Sequence, residues 1–298
     1  MILILSSVLP VRAQGQYPEY VVQPGDTLTG IAELFGITVD ELINLNSTID
    51  PSFLGVGDRL FVPGLEGISG TFTRRIVELG ETLDSLTVKY QMEKDLLVRL
   101  HNLTSRGEVY AGTTLLLLDS ADTYSRVSVG KSDSSNTLIE ISARSNTSTW
   151  VLLGQNNRNK QTNLLPSQLI YGISTTTPDQ VSIIDPRLSE VGISPLPLVQ
   201  GKTFTITVKS EQPVTLQGSL DGNPLVFFAV DENQQIALQG INAMAETGLS
   251  TFSLSGKFSD GGAFSTEQLV LLESGGYSTA DPLTVDPSLI DPTVIGPE

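Results

Sequence analysis

Apolar residues recur along the first half of the chain in short bursts whose period switches between two and about 3.6. Tyr20, Val21 and Val22 form a β-rich run ended by Pro24-Gly25, a turn signal. Leu28, Ile31, Ala32 and Phe35 then fall at i, i+3, i+4 and i+7, the spacing of one helix face. Asp26 or Thr27 can cap that helix, and Gly36 suits the left-handed residue that closes it. Thr38 with Glu41 predicts a capping box for a second helix that ends at Asn46 and buries Val39, Leu42 and Ile43. Residues 59–62 return as a second strand before Pro63 stops it. The predicted unit is strand–helix–helix–strand, spanning residues 20–63.

The pattern repeats. A shift of 55 places Gly25 on Gly80, Thr27 on Thr82, Leu28 on Leu83, Gly57 on Gly112 and Leu60 on Leu115. A shift of 110 places Thr27 on Thr137, Leu28 on Leu138, Ile31 on Ile141, Leu42 on Leu152 and Asn46 on Asn156. Two successive shifts of one length define a repeat. The third copy is degenerate: Ser135 replaces the first Gly, residues 130–134 lengthen the first loop, and Pro166 stands near the expected second Gly.

From about Pro178 the period becomes two. Phe204, Ile206 and Val208 alternate with polar residues, as do Ile236 with Leu238 and Phe252 with Leu254, while residues 269–272 are continuously apolar. Turn signals at residues 220–224 and 260–262 separate these runs. Six or seven short strands at spacings near ten residues predict an immunoglobulin-like β-sandwich. After Gly275-Gly276-Tyr277, Asp-Pro recurs at 281, 286 and 291, the texture of an extended acidic spacer. The fold class is thus multidomain, α+β then all-β. The expected segments are an export-signal remnant (1–13), three repeats (19–64, 74–119 and a degenerate 126–173), a sandwich (179–274) and an Asp-Pro linker (275–298).

Charge and composition narrow the chemistry. The net charge is −16, from 17 basic and 33 acidic side chains, which argues against nucleic acid and against adsorption to an anionic membrane. No segment is long and apolar enough to span a bilayer. Cys is absent and His101 is the single His, so neither a disulfide framework nor a metal site built on several His or Cys is available. No catalytic or metal residues are assigned. His101 is expected on a helix surface. The apolar run 2–9, with Val11-Arg12-Ala13 after it, fits the stump of an export signal and an extracellular or periplasmic setting.

The stretch YVVQPGDTLTGIAELFGITVDELINLN, with LGVGDRLFVPG after it, resembles the lysin motif, or LysM domain. RRIVELGETLDSLTVKYQMEKDLLVRLHNLTSRGEVYAGTTLLLL resembles it along a second copy. The resemblance implies two helices on one face of a two-stranded antiparallel sheet, and binding of N-acetylglucosamine-containing glycan, either peptidoglycan or chitin. In that family the sugar lies between the loop after the first strand and the loop before the second. Carried over, the first loop is Gly25, Asp26, Thr27 and Leu28, and the second is Asn46 with residues 47–54, where Ile49 or Leu54 is the apolar cover for an N-acetyl methyl. In the second copy they are Gly80, Glu81, Thr82, Leu83 and Asn102, with Val109 as the apolar residue. Asp26, Thr27 and Leu28 also serve capping and core packing whether or not sugar binds, and Asn46, Asn102 and Asn156 also suit helix C-caps. Tyr20 and Trp150 offer rings for stacking or for packing.

The order of signal, LysM copies, acidic sandwich, GGY and repeated Asp-Pro is similar to the non-catalytic leader of lysostaphin-like zinc metalloendopeptidases. NPLVFFAV, IALQGINAMAETG and LLESGGY carry that resemblance. Those enzymes bind zinc through two His and one Asp, a set that one His cannot supply, so zinc is expected only if a catalytic domain follows Glu298. A monomer is expected, and two readings follow: a glycan-binding leader that targets a cell-wall hydrolase, or a complete stand-alone cell-wall binder or adhesin with no enzymatic domain. A glycosidase built on paired carboxylates finds no deep cleft in such small units.

Overall fold

The computed structural model describes residues 17–277, except 49, 51–52, 66–67, 106, 120–124, 132–136, 157–168, 175–181, 183 and 186. The signal remnant, Ile49, Ser135, Pro166 and the Asp-Pro tail lie outside the described residues.

The first unit runs β1 (Glu19–Val21), α1 (Leu28–Phe35), α2 (Val39–Leu45) and β2 (Arg59–Phe61). Thr27 caps α1 by accepting from the Gly30 N–H at 3.0 Å, and Gly36 closes it at φ 68°. Thr38 and Glu41 form the reciprocal box that starts α2. The second unit repeats the order as β3 (Thr71–Ile76), α3 (Leu83–Lys89), α4 (Lys94–Leu100) and β4 (Thr114–Asp119). Thr82 pairs with Ser85 at the start of α3. The third has β5 (Ser125–Lys131), α5 (Leu138–Arg144), α6 (Thr149–Gln155) and β6 (Leu169–Ser174), with Thr137 and Glu140 in the same capping box.

The first two units share one sheet rather than holding two separate hairpins. β1 pairs antiparallel with β2 and parallel with β3, giving the order β2-β1-β3-β4. A three-residue strand leaves an unpaired edge, and the neighbouring unit covers it. Phe72 of β3 stands opposite Tyr20 and packs on Phe35 of α1 with centroids 5.0 Å apart, while Tyr20 meets Phe35 edge-on. One apolar core therefore runs through both units. The third keeps its own two-stranded sheet and a small core of Leu138, Ile141, Leu152, Leu153 and Ile170. It touches the second through Gln91, whose side-chain amide donates to the Gln155 carbonyl at 3.3 Å.

The rest is two sheets around a second core. One holds β8 (Leu198–Val199), β10 (Val214–Leu220), β11 (Asn223–Pro224), β14 (Gly248–Phe258) and β15 (Ala263–Glu273) in the order β11-β10-β14-β15-β8. The other is β12-β13-β9-β7, from β7 (Leu188–Ser194), β9 (Thr203–Ser210), β12 (Phe227–Ala229) and β13 (Gln234–Gly240). Phe204, Ile206 and Val208 face Phe252, Leu254 and Val270 across the gap, so the alternation of β9 and β14 is that of half-buried strands. In β13 the phase is opposite to expectation. Ala237, opposite Ile206, points inward, while Leu238 faces solvent. Inward room beside a bulky neighbour selects the small residue at that register.

Candidate glycan-binding site

Because β1 and β2 are antiparallel, with Val21 opposite Arg59, the loop after β1 and the loop before β2 leave the same end of the hairpin. Their bases are stitched together: the Gly57 N–H donates to the Val22 carbonyl, and the Val22 N–H donates to the Asp58 carbonyl, both at 2.9 Å. Asp58 also accepts from the Gly55 N–H at 2.8 Å. In the first loop Asp26 Oδ2 accepts from the Tyr20 hydroxyl at 2.6 Å and from the Gln23 N–H at 2.7 Å. Burial and this bond to a carboxylate push the Tyr20 hydroxyl up to about 12. Gly25, at φ 89°, is exposed, and a Cβ built there would meet nothing within 4 Å. The result is a rigid turn with accessible backbone, which is what close approach of a polar ligand needs.

The residues read from the sequence divide into two groups. Gly25 and Thr27 are accessible, Asp26 and Leu54 are half-buried, and Leu28 packs on the core. Asn46 is 6% exposed and fully engaged: its amide donates to the Leu42 and Phe61 carbonyls, and its oxygen accepts from the Phe61 N–H, all at 2.8 Å. It pins α2 to β2 and has nothing left for a ligand. Its φ of −111° is also not that of a left-handed cap. In the second unit Leu83 and Val109 are core residues. Glu81 is buried, accepts from the Glu78 N–H, and pairs with Lys89 at 2.6 Å. Burial opposes the Lys89 charge, but Glu81 outweighs it and holds the ammonium pKa above its ordinary range. Thr82 is the exposed cap of α3. Tyr20 is buried and unavailable for stacking, whereas Trp150 on α6 is exposed. Phe53, within the expected second loop but not singled out there, and Val56, just beyond it, are strongly exposed apolar residues. Their signal was large apolar side chains in a loop, residues 47–58, otherwise rich in Gly, Ser and Asp.

Asn46 also corrects the register of the second copy. The 55-residue shift sets His101, not Asn102, opposite it. His101 Nε2 accepts from the Leu116 N–H at 3.0 Å, as Asn46 accepts from Phe61 and Asn156 from Tyr171, each pair 15 residues apart. His101 is therefore a half-buried strand pin and not a surface residue, while Asn102 is an exposed left-handed residue at φ 49°. Burial lowers the His101 pKa, only partly offset by its contact with Leu116. The unfolded chain thus binds the proton more readily than the fold does. Stability contributed by neutral His101 is present above about pH 6.5 and is lost as pH falls through its folded value. Thermal unfolding of a His101→Asn variant at pH 7.5 and pH 5 is expected to lose that part of the acid sensitivity while keeping the pin. An unchanged acid dependence would show that His101 does not carry it.

Among the described residues, no three His, Cys, Asp or Glu side chains come together to hold a metal ion. Likewise no described helix is long and apolar enough to cross a membrane.

Residues 20–63, the whole span of the first unit, match the LysM domain family model. The chain thus carries a LysM domain. An endolysin of Bacillus phage B103 is 34% identical over 100 residues, which cover 33% of this chain and 37% of the relative. N-acetylmuramoyl-L-alanine amidase XlyA of Bacillus subtilis strain 168 is 51% identical over 43 residues, 14% of either chain. The chain spans well under half the length of these relatives. Among solved structures, the spore cortex-lytic enzyme SleL of Bacillus megaterium QM B1551 is 22% identical over 36% of this chain and 24% of that one, with a TM-score of 0.25.

Proposed function

We propose that the chain binds N-acetylglucosamine-containing glycan, chiefly peptidoglycan, through the paired loops of its first unit. The observation that carries this reading is the coincidence of the LysM match with an exposed, rigid turn at Gly25 and an exposed apolar residue, Phe53, on the loop beside it. Backbone N–H and C=O groups of such a turn pair with acetamido and hydroxyl groups, and Phe53 and Val56 cover apolar sugar faces. The second and third units are read as further LysM copies, and the paired sheets as an immunoglobulin-like sandwich. The relatives are named as an endolysin and an N-acetylmuramoyl-L-alanine amidase, which favours a cell-wall-associated or extracellular protein that delivers a hydrolase to its substrate. The sandwich segments suggest a lysostaphin-like zinc endopeptidase as that hydrolase. The described residues do not fit its zinc site, since the single His is engaged with Leu116.

Thr27→Arg places a long cation at the mouth of the loops and removes one helix cap, a cost of about 1 kcal/mol. Pull-down on insoluble peptidoglycan is expected to fall at least tenfold with the circular dichroism spectrum retained. Phe53→Ala, which truncates a largely exposed side chain, is expected to weaken binding several-fold with little change in melting. Wild-type retention by both folded variants would remove the site assignment.

A further inference from the structure

The two first units are equivalent in sequence register but opposite in exposure on one face. Positions 24, 25, 56 and 57 of the first unit, Pro24, Gly25, Val56 and Gly57, are all exposed. Their counterparts at the 55-residue shift are Leu79, Gly80, Ala111 and Gly112. Leu79 and Ala111 are buried and belong to the sandwich core rather than to the core of their own unit. Gly112 lies so close to Pro197 and Leu271 that a Cβ there would stand 3.1 and 3.2 Å from them, whereas one at Gly57 would meet nothing. What covers the second unit is the edge of β15. Ala111 pairs with it in parallel fashion, donating to the Leu269 carbonyl at 3.3 Å and accepting from the Leu271 N–H at 2.8 Å. From the same strand Gln268 reaches into the turn after β3, and its side-chain oxygen accepts from the Gly80 N–H at 2.6 Å. No described residue bonds the matching N–H of Gly25.

We infer that this face of the second unit is an internal joint that holds the sandwich where the first unit is open to glycan, with the Gln268 carboxamide standing in for a sugar's acetamido group. The glycan half of this inference rests on the reading of the first unit given above; the joint itself does not. A carboxamide is the side chain chemically nearest to an acetamido group, with one carbonyl acceptor and N–H donors in the same plane. Leu79 and Ala111 replace the exposed Pro24 and Val56 with residues that pack against an apolar partner, and glycine at 112 admits Pro197. The second unit thereby adds rigidity between the sandwich and the shared sheet of the first two units instead of adding a second binding loop. The gain in avidity from linked copies is then unavailable from the first two units.

Amide hydrogen exchange on the full chain tests the joint without ligand. Gly80 and Ala111 are expected to exchange at least tenfold more slowly than Gly25 and Val56, and Gln268→Ala is expected to accelerate Gly80. Equal rates at the two sets of positions would overturn the joint. Addition of tri-N-acetylchitotriose then tests the glycan half by amide chemical shifts. Saturable shifts are expected at Gly25, Asp26 and Thr27 and none at Gly80, Glu81 and Thr82. Comparable shifts at Gly80 would overturn the inference. Shifts at neither turn would remove the glycan reading of the first unit and of the stand-in, leaving the joint decided by exchange.

Discussion

Replacing Phe72 with alanine is expected to destabilise the first two units together. Phe72 is 1% exposed, lies on β3 of the second unit, and packs against Phe35 and opposite Tyr20 of the first. Truncating a buried Phe removes its transfer energy and leaves a cavity, at a cost of about 3–5 kcal/mol. The parallel pairing of β1 with β3 involves only two residue pairs, so the aromatic cluster carries most of the coupling. In urea denaturation followed by amide exchange, protection is expected to fall together at Leu42 in the first unit and Leu97 in the second, both fully buried. Loss confined to the second unit would show that the units fold independently and that the shared sheet is incidental.

The second large effect is expected at Lys89. The Glu81 side chain is 2% exposed and its charge is balanced by Lys89 at 2.6 Å. Lys89→Met leaves that carboxylate with the Glu78 N–H as its remaining named partner. Removing one partner of a buried pair costs about 3–5 kcal/mol, because the other charge stays buried and uncompensated. The double variant Glu81→Gln with Lys89→Met removes both charges and is expected to recover most of the loss, since the pair itself contributes little net stability. The damage should reach the third unit, because Tyr171 of β6 is buried beside α3, where burial raises its hydroxyl to about 12. A Lys89→Met cost below about 1 kcal/mol, the size found for exposed pairs, would contradict this.

Local signals were legible in the sequence because their partners lie within a few residues. Thr27, the Thr38–Glu41 box and Gly36 all sit where capping chemistry places them. The two-residue turn at Asp221-Gly222 joins β10 to β11 as its turn signal implies. What could not be read is non-local. Nothing near β1 announces that its free edge is taken by β3, 52 residues further along when Glu19 is set against Thr71. Glu81 aligns with the half-buried Asp26 of the first loop, yet it is itself buried and paired with a cation eight residues on. His101 was misplaced by a one-residue slip in alignment, and the separation of 15 residues to its strand partner was the signal that resolves it. The run 269–272 held a further clue. A strand with one buried face needs only Val270 and Leu272, and Leu271, turned the other way, packs against Gly112.

The central claim is that the first unit's loops bind N-acetylglucosamine polymer, and calorimetric titration of the full chain with tri-N-acetylchitotriose tests it most directly. Saturable binding is expected for the native sequence and at least tenfold weaker binding for Thr27→Arg. Absence of saturable binding, or a folded Thr27→Arg that binds as tightly as the native chain, would contradict the account.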